Sequence, residues 1–170
     1  MSRKASAGKV AVGDRAPDFT LPAQSGAPVR LHDLLGERAV VLFFYPKDNT
    51  SGCTVEVCTF RDSYDVFKEA GAEVVGISSD SVGSHAGFAA KHHVPYLLLS
   101  DTGGAVRKLY GVPAMLGLLP GRVTYIIDRH GVVRHMFSSH VAITKHVSEA
   151  LTVLASLREM PPESAVTQPS

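Results

Sequence analysis

Ala39–Tyr45 (AVVLFFY) is apolar at every position, the pattern of a strand buried on both faces. Upstream, Phe19 and Leu21 and then Val29 and Leu31 alternate around the Gln24-Ser25-Gly26 turn, which predicts two short strands. One helical turn is expected over Asp33–Gly36. Pro46 ends the apolar strand, and Asp48–Gly52 (DNTSG) is a polar loop. There the period lengthens. Val57, Phe60, Tyr64 and Phe67 fall at helical spacing, with Glu56, Arg61, Asp65 and Lys68 between them. The spacing predicts one helix, capped by Thr50 or Ser51 and stopped by Gly71. Val74–Ser78 reads as a second buried strand, Ser84–Lys91 as a helix ended before Pro95, Tyr96–Leu99 as a third strand and Gly104–Tyr110 as a helix. Val123–Ile127 and Val132–Phe137 flank Asp128-Arg129-His130-Gly131, a β-hairpin pattern. Ile143, Val147, Ala150, Leu151, Leu154 and Leu157 form the stripe of a last helix.

Strands alternating with helices imply a parallel sheet, and the closing hairpin adds an antiparallel part. The expected fold is α/β with a mixed central sheet and helices on both faces. Short strands and about 150 ordered residues suggest its thioredoxin-like version. A chain of 170 residues fits one domain, placed over 11–158, with a flexible start (1–10) and a disordered polar tail (159–170). The formal charge of +1, from 17 basic and 16 acidic residues, argues against a nucleic-acid surface or a polybasic membrane anchor. The longest apolar run, Ala39–Tyr45, is far short of a membrane span. Met1–Val10 lacks the apolar centre of a secretory signal and reads as an ordinary terminus or the remnant of a transit peptide. A reducing compartment is therefore expected.

In such a compartment a close pair of cysteines reads as redox-active or metal-binding. The chain has two, Cys53 and Cys58. Cys53 falls near the first turn of the predicted helix, where free N–H groups and the macrodipole favour an anion such as a thiolate. An inert core thiol is the ordinary alternative, and the polar neighbours Asn49, Thr50, Ser51 and Gly52 count against it. Four residues separate the cysteines, a spacing zinc tolerates, but zinc needs further ligands. Those would have to come from the eight histidines, which are expected to be exposed polar residues. Glu56 and Arg61 read as exposed or structural helix charges. Phosphate-loop, HExxH and GxSxG motifs are not seen.

The segment FYPKDNTSGCTVEVCTFRD (Phe44–Asp62) resembles the active-site motif of peroxiredoxins, Pro-x-x-x-Thr-x-x-Cys, as Pro46, Thr50 and Cys53. The second cysteine five residues on is similar to the bacterioferritin comigratory protein / peroxiredoxin Q subfamily. The likeness continues through VVGISSD (Val74–Asp80), LLLSD (Leu97–Asp101), VRKLYGV (Val106–Val112) and LPGRVTYIID (Leu119–Asp128). Ser51 departs from the Pro or Ala often found there, which removes no catalytic atom.

The resemblance implies a thiol peroxidase that reduces hydrogen peroxide or organic hydroperoxides without metal, haem or flavin. Cys53 would be the peroxidatic thiolate and Cys58 the resolving thiol. Thr50 would hold the peroxide, Pro46 would shield the site from water, and Arg122 would supply a cation beside Cys53. A strand-end surface position is the plain alternative for Arg122, and a simple N-cap for Thr50. Thioredoxin or a similar dithiol would be the partner. A monomer is expected, because both cysteines lie in one local segment. The compartment would be a bacterial-type cytoplasm, or a plastid if a transit peptide has been removed. Two other functions fit less well. A general thiol–disulfide oxidoreductase would show Cys-x-x-Cys, and a non-enzymatic metal-binding module would need histidines to converge on the cysteines.

Overall fold

The computed structural model describes residues 10–48, 50–112, 114–115, 119–120, 122–139 and 144–159. In chain order the elements are β1 (Thr20–Pro22), β2 (Pro28–Arg30), α1 (Leu31–Leu34), β3 (Ala39–Phe44), α2 (Ser51–Asp62), α3 (Tyr64–Glu69), β4 (Ala72–Ser78), α4 (Val82–His92), β5 (Leu97–Ser100), α5 (Ala105–Tyr110), β6 (Ala114–Met115), β7 (Leu119–Pro120), β8 (Val123–Ile127), β9 (Val133–Ser138) and α6 (Lys145–Glu159). The central sheet has the order β5-β4-β3-β8-β9. β3 pairs parallel with β4 and β4 with β5, while β8 runs antiparallel to both β3 and β9. The sheet is mixed, as expected.

The uniform apolarity of β3 has a direct cause. Val40, Leu42 and Phe44 point into a core shared with Val75, Ile77, Tyr110 of α5, Tyr125 and Leu31 of α1. Val41 and Phe43 point the other way, with Tyr45 beyond the strand, among Val57 and Phe60 of α2, Phe67 of α3, Phe88 of α4 and Val147 and Leu154 of α6. Side chains alternate across a strand, so burying both faces leaves no polar position. The interior is tight: a Cβ at Gly76 would lie 2.7 Å from Phe43 Cζ and 3.0 Å from Leu98 Cδ2. Only glycine lets the Phe43 ring lie across β4.

Two details differ from the sequence pattern. The single helix expected before Gly71 is two, α2 and α3, divided at Ser63 (φ −102°, ψ 4°). The Ser63 amide is shared between the carbonyls of Thr59 and Phe60, each at 3.2 Å. Phe60 and Phe67 reach the same core on either side of the break, so hydrophobic spacing carries no sign of it. The second difference is the β6–β7 pair, two residues per strand, too short to leave a periodic signal. The expected flexible start and disordered tail lie outside the described residues, apart from Val10, which is buried and donates its amide to the Tyr110 carbonyl at 3.0 Å, and Glu159, the last residue of α6. Among the described residues no helix is long and apolar enough to cross a membrane.

Candidate active site

β3 and β4 run parallel, and their carboxyl ends open towards the loop that precedes α2. This is where α/β sheets place ligands. A hydrogen-bonded cluster pins the loop. Asp48 is buried and accepts from Tyr45 Oη at 2.6 Å, from Ser84 Oγ at 2.9 Å and from His85 Nδ1 at 2.7 Å. Its own amide donates to Asp80 Oδ2 at 2.7 Å. α4 thus holds the loop from one side, and the side chains of Tyr45 and Asp48 tie it down from within.

Thr50 is the N-cap residue of α2, with extended backbone (φ −90°, ψ 151°), but its side chain does not cap the helix. Its hydroxyl donates to the Lys47 carbonyl at 2.9 Å, and the residue is exposed. Pro46 is partly buried between β3 and this loop. Cys53 lies in the first turn of α2, where backbone N–H groups have no intrahelical acceptor. It is 1% exposed. Cys58 sits in the body of the same helix, partly buried, and both thiols are free.

Arg122 precedes β8 and is 5% exposed, so the reading of a surface arginine is excluded. Its Nη2 lies 3.4 Å from Cys53 Sγ. Its Nη1 donates to Glu56 Oε1 at 2.6 Å. Burial works against the Arg122 charge, and Glu56 and Cys53 outweigh it, so the guanidinium is held above its ordinary value. The structure thus brings Cys53 and Arg122 together from positions 69 residues apart.

Of the two readings the sequence left for Glu56, exposed or structural, the structure selects the second: it is fully buried. Burial raises its pKa from 4.5 to about 7, although Arg122 opposes the shift. The signal that could have found it is helical phase. Cys53, Glu56, Val57 and Phe60 share one face of α2, and all four are buried. Arg61, on the same helix, is structural as expected, donating to the His92 carbonyl at 2.7 Å.

The histidines need correcting. His85 and His146 are fully buried, not exposed. Among the described residues one group of His, Cys, Asp and Glu side chains is close enough to share an ion: Asp48, Asp80 and His85. It contains neither cysteine, and its carboxylates accept the hydrogen bonds that pin the loop. The convergence a cysteine-based metal module requires is not present among the described residues.

A buried thiol at a helix start, faced by a buried guanidinium, suits nucleophilic attack on an oxygen–oxygen bond. The AhpC/TSA family model matches residues 12–136. The chain belongs to that family, the peroxiredoxins. It is 51% identical over 151 residues to "Peroxiredoxin Q, chloroplastic" of Oryza sativa subsp. japonica, covering 88% of this chain and 69% of the relative. Among solved structures, the peroxidoxin BcpB of Mycobacterium tuberculosis is 43% identical with a TM-score of 0.81, over 87% of this chain and 98% of that one. The bacterioferritin comigratory protein of Xanthomonas campestris, solved in work on its alkyl peroxide reduction, is 31% identical with a TM-score of 0.76, over 83% and 92% of the two chains. The fold is the thioredoxin-like one of this family, and the subfamily likeness is to peroxiredoxin Q. This peroxiredoxin is accordingly a thiol peroxidase with an antioxidant role, acting on peroxides with electrons from thiols. The reading as a general thiol–disulfide oxidoreductase does not fit these relatives.

Proposed function

We propose that Cys53 is the peroxidatic residue and that the catalytic cycle runs through Cys58. The Cys53 thiolate attacks one peroxide oxygen, an S–O bond forms, the O–O bond breaks, and the expelled oxygen takes up one proton, the equivalent of the one Cys53 gave up, to leave as water or an alcohol. The Cys58 thiol then displaces water from the sulfenic sulfur, which closes a disulfide. An external dithiol, thioredoxin or one like it, supplies two electrons and restores both thiols. Arg122 stabilises the thiolate and the charge that builds on the breaking bond. Thr50 offers its hydroxyl to the peroxide once that group turns away from the Lys47 carbonyl. Pro46, next to the pinned loop, keeps bulk water from the sulfur. The single observation that carries this reading is the 3.4 Å approach of Arg122 Nη2 to the buried Cys53 sulfur.

The plant relatives are chloroplastic. A peroxidase recycled by a dithiol needs a compartment that keeps the dithiol reduced, and both the bacterial cytoplasm and the plastid do so. Peroxide-dependent oxidation of thioredoxin tests the proposal. Wild type should turn over, Cys53→Ser should not, and Cys58→Ser should complete one attack and stop with a trappable sulfenic acid. Equal loss of the first attack in both variants would remove the assignment.

A further inference from the structure

The mechanism leaves one side of the buried network unused. Glu56 accepts from Arg122 on Oε1, but its buried Oε2 has no hydrogen-bond partner among the described residues. That oxygen lies 3.5 Å from His146 Nδ1, and both side chains are 0% exposed. His146 comes from α6, far along the chain, and its Nε2 faces the Ser139 carbonyl at 3.0 Å. A carbonyl only accepts, so Nε2 carries the hydrogen and Nδ1 is the nitrogen that gains or loses a proton. Thr124 Oγ1, 2.7 Å from Nδ1, serves either state, because a hydroxyl both donates and accepts. Among the described residues, two further titratable groups on the packed elements have partners. Tyr96, whose ionisation burial and then Glu56 oppose, donates its hydroxyl to the Val57 carbonyl at 2.7 Å. Glu149 of α6 meets His135 at 3.2 Å.

Cys53, Glu56 and His146 therefore surround one fixed charge, that of Arg122. A buried cluster is least costly when its net charge is zero. Three arrangements satisfy that. The thiol is protonated beside an ionised Glu56 and a neutral His146. Or the thiolate stands beside a protonated Glu56 and a neutral His146. Or thiolate and carboxylate are both ionised and His146 is protonated. Each holds one proton over the three sites.

We propose that Glu56 and His146 are the internal acceptors of the Cys53 proton, so that this buried pair, and not bulk water, sets how much reactive thiolate the site holds. The transfer balances within the protein: the S–H bond breaks, and an O–H bond forms on Glu56 or an N–H bond on His146. An ionised Glu56 with a neutral His146 claims Arg122 for itself and leaves Cys53 as thiol. A proton on the pair releases the guanidinium to the sulfur. Glu56 and His146 are positioning residues here, acting through Arg122 and Cys53. The inference rests on the peroxidatic assignment of Cys53.

The test is infrared spectroscopy of the protonated-carboxyl band across pH, assigned to Glu56 by its loss in Glu56→Gln. In wild type the band should persist to near neutral pH. In Cys53→Ser no thiolate competes for Arg122, so the band should vanish about one pH unit or more lower. In His146→Gln, whose amide can still reach the Ser139 carbonyl, the band should persist to higher pH, because its rival acceptor is gone. A merely structural His146 would leave the band unmoved. The same midpoint in wild type and Cys53→Ser would overturn the shared proton, whatever His146→Gln does. Should His146→Gln fail to fold, that comparison decides alone. Alkylation of Cys53 gives a second reading: Glu56→Gln should react several-fold faster near neutral pH, where the wild-type carboxylate ionises and competes for Arg122. Equal rates would also overturn the proposal. Peroxide turnover of wild type and Cys53→Ser, measured alongside, separates the two ideas: unequal turnover with an unmoved band rejects the shared proton and keeps the peroxidatic role.

Discussion

At the scale of single residues the site turns on one guanidinium serving two acids. Arg122→Leu removes the cation 3.4 Å from Cys53 and leaves Glu56 buried without the guanidinium that donates to it. Loss of one preorganised donor typically costs about 10²–10³ in rate, and peroxide reduction by Arg122→Leu should fall by that order. Arg122→Lys should recover little, because an ammonium cannot bridge a sulfur and a carboxylate as a planar fork does. Rates in stopped flow check both. Glu56 gives a prediction of different sign from most carboxylates. Burial lifts its pKa from 4.5 to about 7. The folded protein thus holds a proton over that interval that the unfolded chain releases. Stability must fall as pH rises across it, by about 3 kcal/mol for this residue alone. Glu56→Gln cannot ionise and should gain on wild type by that order between acid and neutral pH. Urea midpoints of both proteins at several pH values read the difference. A constant gap would show that Glu56 ionises normally.

At the scale of elements, the proposed cycle gives α2 two incompatible tasks. Cys53 and Cys58 both lie inside this helix. Residues five apart in a regular helix have Cα atoms about 8–9 Å apart, whereas a disulfide needs roughly 4.4–6.8 Å. Reduced α2 can hold Cys53 in the field of its amino end, or oxidised α2 can carry the bond, but one regular helix cannot do both. The first turns of α2 should therefore open on oxidation. Such opening is mild, because helix ends lie at the low-stability end of a fold and the loop to be closed is short. Two features leave this helix able to open: the break at Ser63 separates α2 from α3, and Val55 stands 47% exposed. Amide exchange around Thr54–Thr59 should quicken in the oxidised form, with far-ultraviolet circular dichroism showing helix loss. Unchanged protection in a protein whose mass confirms the disulfide would contradict this.

At the scale of the whole molecule, the described chemistry is complete within one chain. Cys53, Cys58, Glu56, Arg122 and His146 all come from it, so the cycle proposed above calls on no second copy. The protein should run as a monomer in light scattering in both redox states. A stable dimer that persists on dilution would refute this.

How much of this could be read from the chain depends on the range of the interaction. Hydrophobic period and turn residues are local, so they determined the strands β3, β4, β5 and β8, the closing hairpin and the helix that bears both cysteines. The motif from Pro46 to Cys58 is contiguous, so the chemistry was legible there as well. The break at Ser63 was not, because one apolar stripe serves both halves. Whether Glu56 was exposed or structural stayed open, because the type of a residue does not state what lies opposite its face of a helix. His146 looked ordinary for the same reason. Only the tertiary structure decided these. The sheet order places β8 beside β3, which sets Arg122 against the start of α2, and α6 packs over both and carries His146 to Glu56. A buried charge is defined by partners distant in sequence, and no local pattern encodes which partner will arrive.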